Sequence, residues 1–266
     1  MLEIFAVYLA VGAVAGVLAG LFGIGGGLVI VPMLVVCFTW QGVDGAIMMQ
    51  LALGTSMASI MFTAVSSFMA HHRRGAVAWD VVRRICLGIL AGTYAGTFVA
   101  AVLPTRVLKV VFVVFLVFVC WQMLSGKRPK PTRQMPGLAG TSLAGVVIGA
   151  VSSLVGIGGG TLSVPFMVWH NIPLHRAIGT SAAIGFPIAV AGTLGYVVHG
   201  WGVPALPEWC LGFVSLPALL GIVLASVCTA PLGVRLAHAL PVDRLKKIFA
   251  VLLLMVGLRM LWGVVA

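Results

Sequence analysis

A Gly-Ile-Gly-Gly-Gly run occupies residues 23–27 and returns at 156–160, each time within an apolar stretch. Each copy carries a proline five residues beyond its last glycine, Pro32 and Pro165. The same offset of 133 places Gly12 and Gly16 against Gly145 and Gly149. Further on, Gly54-Thr55-Ser56 recurs as Gly179-Thr180-Ser181, and Leu103-Pro104 with Leu108-Lys109 recurs as Leu240-Pro241 with Leu245-Lys246. The chain is therefore two copies of one unit of about 130 residues. Consecutive glycines break a helix, because nothing restricts their backbone dihedrals. Inside a membrane such a break is tolerated only where protein or a water-filled cavity satisfies the freed backbone groups.

The surroundings of the clusters are those of a membrane. Apolar residues make up 61% of the 266 and charged residues 8%, and mean hydropathy is +1.19, more than a soluble core of this length uses. Apolar runs at 4–21, 46–70, 85–103, 107–124, 138–155, 177–198, 209–230 and 248–266 are each long enough, or nearly so, to cross a hydrocarbon core of about 30 Å at about 1.5 Å per residue. The expected fold is an all-α polytopic membrane protein. The N-terminal run lacks the basic start of a signal peptide, carrying Glu3 instead, and leads straight into the first cluster, so it reads as retained.

Two further apolar segments, 28–40 and 161–172, are short and each follows a glycine cluster. If they do not cross, there are eight spans, and the basic residues divide 9 to 7 between the two sides. If each completes a crossing together with its glycine stretch, there are ten segments in two sets of five. With the N-terminus outside, 13 of the 16 Lys and Arg then face the cytoplasm, and Arg106, Lys109 and Arg259 do not. The positive-inside rule favours the second threading. Five is odd, so the second copy enters the membrane upside down relative to the first. Inverted repeats, each with a discontinuous helix, are a recurring plan of secondary transporters. The expected organisation is a first repeat at 1–126, a cytoplasmic linker at 127–136 whose three prolines keep it from helix, and a second repeat at 137–266. The formal charge of +11 arises from these loop clusters, so nucleic-acid binding is not indicated.

Each motif also has a reading that involves no substrate. The run 23–27 superficially resembles a dinucleotide loop, with Asp44 near the distance of a ribose-binding acid. Its flanks are membrane segments, however, and the second copy has Ala177 at that offset. Helix packing accounts for Gly12/Gly16/Gly20, Gly88/Gly92/Gly96 and Gly145/Gly149, whose four-residue spacing lets helices approach closely. It accounts less well for the triplets Gly25-Gly26-Gly27 and Gly158-Gly159-Gly160. These would unwind a helix and present backbone N–H groups at the start of the next half-helix, a site for an anion that needs no buried cation. Thr55, Ser56, Thr180 and Ser181 bring hydroxyls into segments otherwise almost free of polar groups, although such hydroxyls also bond their own helix.

Absences bear on the substrate. The five acids Glu3, Asp44, Asp80, Glu208 and Asp243 fall at segment ends or in loops, so a cation site or carboxylate proton relay within a span has no residue to use. Five scattered cysteines without a CxxC offer neither a disulfide framework nor a metal site. His170 and His199 read as terminal or packing residues.

Together the two clusters, each followed by Val-Pro (Val31-Pro32, Val164-Pro165), and the two Gly-Thr-Ser triplets resemble the TauE/SafE family of sulfite exporters, over essentially the whole chain. The resemblance implies a multi-pass permease of the plasma membrane acting on sulfite, sulfonates or related small organic acids. One departure is that the gap from cluster to Gly-Thr-Ser is eight residues shorter in the second copy, so the half-sites need not be equivalent. The reading is a secondary transporter, not an enzyme, that exports a small sulfur-containing or organic anion. It needs no cofactor or metal, and its partners are the substrate and the lipid bilayer. Its substrate site comprises Gly25, Gly26, Gly27, Thr55, Ser56, Gly158, Gly159, Gly160, Thr180 and Ser181. The alternatives are a membrane thiol-disulfide electron carrier and an anion channel.

Overall fold

The computed structural model describes residues 2–22, 26–125 and 134–239, and all of 250–260 except 252, 256 and 258. Among these residues nine helices are named: α1 (Leu2–Phe22), α2 (Gly27–Trp40), α3 (Met48–His72), α4 (Trp79–Val102), α5 (Thr105–Leu124), α6 (Leu138–Val155), α7 (Gly160–Trp169), α8 (Leu174–His199) and α9 (Leu216–Ala239). The described residues of 250–260 are also helical. No strand occurs among the described residues. Among the described residues seven helices are long and apolar enough to span a membrane, and α2 and α7 are the short ones. Most of the 127–136 linker, through residue 133, lies outside the described residues, as do 240–249 and with them Leu240-Pro241 and Leu245-Lys246.

Helix ends follow local chemistry. Proline at the position before the first helical residue opens α5 (Pro104) and α8 (Pro173), where a fixed φ and a missing N–H cost nothing. One sequence expectation needs correction: the run 209–230 is not a single helix. Trp209 and Gly212 have positive φ, 63° and 54°, the segment folds back through a Cys210–Ser215 bridge, and α9 starts only at Leu216.

The packing runs between the halves of the chain. α1 lies along α9, α4 along α6, and α3 against α8, with α2 on α3 and α7 on α8. Exchanging each first-half helix for its counterpart leaves this pattern unchanged, which is consistent with two repeats related by a two-fold axis. The central pair is α3 and α8: 72% and 61% of their apolar windows are buried, against 39–44% for the other five spans. The long seams rest on glycine. A methyl on Gly12, Gly16 or Gly20 would overlap the backbone of Ile222, Ser226 or Ala230 on α9. One on Gly88 or Gly92 would overlap Ser142 or Val146 on α6. Backbones this close gain dispersion contact that larger residues would prevent.

The short helices turn back. Gly26 lies against Ala15, part-way along α1, and beyond the far end of α2 Gln41 donates to the Tyr8 hydroxyl at 2.6 Å. α2 thus returns to the end from which α1 sets out. Gln50 donates to the Leu103 carbonyl (2.9 Å) and Thr105 to that of Ala46 (2.7 Å) at the same end. At the opposite end the His71 ring Nε2 lies 3.2 Å from the Gly20 carbonyl, and Arg74 donates to that of Val234 at 3.2 Å. Arg73, Arg74, Arg83, Arg84, Arg176 and Arg235 gather at that second end, whereas Arg106 and Lys109 lie at the first.

Candidate functional site

α2 and α7 begin in the same unusual way. Their N-caps, Gly26 (φ 75°, ψ −8°) and Gly159 (φ 76°, ψ −6°), are left-handed and carry no side-chain cap. Only glycine enters this conformation without strain. The cap carbonyls already accept within the helix, Gly26 from Val29 and Ile30, Gly159 from Leu162 and Ser163. The N–H groups opening the first turn therefore have no side-chain acceptor. That leaves two positive helix ends supplied by backbone alone.

The start of α2 packs against the turn that leads from α6 into α7. Gly27 packs directly on the Gly156 carbonyl, with Ile157 Cα 3.0 Å from where a Cβ would stand. Ser56, from α3, donates to the same Gly156 carbonyl at 2.8 Å. The Gly158 carbonyl lies 3.3 Å from where a Cβ on Gly185 of α8 would stand. Gly27 and Ser56 thus meet at the Gly156 carbonyl, in the turn that leads to Gly158, Gly159 and Gly160, and all of these residues are buried. Gly25 lies outside the described residues.

The Gly-Thr-Ser triplets have a clear structural task. Gly54 admits the Phe213 carbonyl, and Thr55 Oγ1 accepts from the Ser215 N–H at 2.9 Å. Gly179 admits the Ala76 carbonyl, and Thr180 Oγ1 accepts from the Ala78 N–H at 2.9 Å. Each triplet therefore clasps the extended segment that leads into a long helix of the other half, α9 or α4. Both threonine oxygens act as acceptors, so each keeps its own O–H for another partner. Ser181 receives the Ser163 hydroxyl at 3.0 Å. All four triplet hydroxyls are fully buried.

Sequence reasoning missed three hydroxyls near the second cluster. Ser152 on α6, and Thr161 and Ser163 in the first turns of α7, are buried. The oxygens of Ser152 and Thr161 have no hydrogen-bond partner. Their first-half counterparts, 133 positions earlier, are Ala19, Leu28 and Ile30. Among the described residues the region contains no charged side chain: Glu3 and Asp80 sit in first turns, Asp44 accepts from the Ala46 N–H in a loop, and Glu208 lies in the loop before α9. Among the described residues no group of His, Cys, Asp and Glu could hold a metal ion.

A bundle of apolar helices with paired broken segments at its centre is the architecture of a multi-pass membrane transporter. The chain belongs to the sulfite exporter TauE/SafE family, whose profile matches residues 8–260. A probable membrane transporter protein of Haemophilus influenzae is 40% identical over 254 residues, 95% of this chain and 96% of that one. One from Methanocaldococcus jannaschii is 26% identical, covering 94% and 93% of the two chains. The probable membrane transporter protein YunE of Bacillus subtilis is 27% identical over 74% of this chain and 79% of its own. No solved structure gives a significant match.

Proposed function

We propose that the protein exports a small oxyanion or sulfonate, with sulfite the leading candidate, through a site between its two halves. The observation that carries this reading is a pair of buried, uncapped helix N-termini, one in each half, the first packed on the turn that leads into the second. Such termini attract anions through oriented N–H groups and offer a cation nothing. The ligands are the backbone amides of Gly25–27 and Gly158–160, assisted by Thr55, Ser56, Thr180 and Ser181. Rocking of one half against the other about this centre would expose it to each side in turn. An inside-negative potential drives an anion outward by about 2.3 kcal/mol per charge per 100 mV, so export needs no coupling ion. The thiol-carrier alternative fits poorly: burial pushes the loop thiol of Cys210 up to about 11, and a protonated thiol is a weak nucleophile.

The test is counterflow of radiolabelled sulfite, sulfate, taurine and acetate in proteoliposomes. Saturable, trans-stimulated sulfite uptake is expected. Non-saturable flux would make the protein a channel, and no counterflow of any of the four would end the proposal.

A further inference from the structure

The two helix starts are alike in backbone and unlike in what surrounds them. Where a Cβ on Gly159 would stand, the neighbours are the methyl groups of Ile188 (2.5 Å) and Ile148 (3.3 Å) and the hydroxyl of Ser152 (3.3 Å). Around the same position on Gly26 the nearest neighbours are instead the Ala15 carbonyl (2.7 Å) and the Ala15 methyl (3.1 Å), with no hydroxyl among them. Ser152 is fully buried and Thr161 nearly so, and neither oxygen has a partner in the protein. A buried hydroxyl without a partner loses its hydration for no return. Two of them beside an uncapped helix start, itself short of acceptors, make a set of donors with nothing to donate to. The first half has no such set, because Ala19 and Leu28 stand at the matching positions.

We propose that Ser152 and Thr161, with the first-turn N–H groups of α7, form the second-half side of the site between the halves and bind one singly charged oxyanion, and that the first half has no hydroxyl pair to match them. This rests on the transporter reading of the same region and adds substrate class and placement to it. Only neutral donors face the site, so nothing compensates the desolvation of a second charge, which rises with the square of the charge. Monoanions with several oxygens, such as sulfonates, are favoured over dianions.

Thermal unfolding of the purified protein in nanodiscs, titrated with sodium methanesulfonate, sodium sulfate or sodium chloride at matched ionic strength, tests this. Methanesulfonate should raise the melting temperature saturably, and sulfate should do no more than chloride. Ser152→Ala and Thr161→Val should each weaken methanesulfonate binding about tenfold, the loss of roughly one hydrogen bond to a charged group. Both should unfold at or above the wild-type temperature without ligand, since neither hydroxyl has a partner to lose. Ala19→Ser should leave the affinity unchanged. Wild-type affinity in both variants, tighter binding of sulfate, or no methanesulfonate response would each overturn the assignment. If sulfite counterflow persists alongside such a result, this placement alone fails; if counterflow is absent as well, the transport reading fails with it.

Discussion

Thr55 and Thr180 each hold a backbone N–H that lies far away in the chain, on Ser215 and on Ala78. Replacing either threonine with valine keeps the shape and leaves that buried N–H unpaired, a loss of about 1–3 kcal/mol. Thr180→Val should therefore lower the unfolding temperature in detergent, whereas Thr180→Ser should restore it. The substrate role proposed for the same hydroxyls predicts in addition a weaker affinity per folded molecule, and transport normalised to folded protein separates the two effects. Duplication made these threonines legible in the sequence as a pair, but not their clasping role, because the partner of each is a backbone group in the other half. Ser152 and Thr161 escaped notice for the opposite reason: Ala19 and Leu28 lack hydroxyls, so a search for what the halves share passes over what distinguishes them.

Among the elements, the glycine seams were the most readable feature and the start of α9 the least. Four-residue spacing of small residues specifies which helix face comes close to another, and Gly12, Gly16 and Gly20 do so against α9. Hydropathy alone places a helix across 209–215, where apolar residues line a folded-back loop instead; composition does not register that Trp209 and Gly212 adopt left-handed backbone. The seams yield a prediction. Gly16→Ala should cost at least the roughly 1–3 kcal/mol of an overpacked core, since the obstruction is the Ser226 backbone and cannot swing aside. Gly45→Ala, with open space around it, should leave yield unchanged. Fluorescence-detected size exclusion of both variants gives the comparison, and equal monodisperse yields would refute it.

For the whole molecule, the return of α2 to the end where α1 starts and the clustering of arginines at the opposite end agree with a threading in which both termini lie outside. A C-terminal alkaline phosphatase fusion should be active, and a C-terminal fluorescent protein dark; the reverse pattern would return the threading to eight spans. The same end-to-end assignment expects a cysteine placed at Arg74 to be reached by impermeant reagents only from the cytoplasm.

Pairing α1 with α9 and α4 with α6 also sets an order of events during synthesis. α1 leaves the ribosome well before α9, yet its glycine-lined face is matched to that helix, which begins only at Leu216. Until then α1 must wait in the bilayer with that face against lipid, so neither half can finish folding before the other exists. Residues 1–126 or 137–266 produced alone should be degraded, while co-expression of the two should recover both. On this expectation each half serves as the other's folding template, with α9 completing the packing of α1.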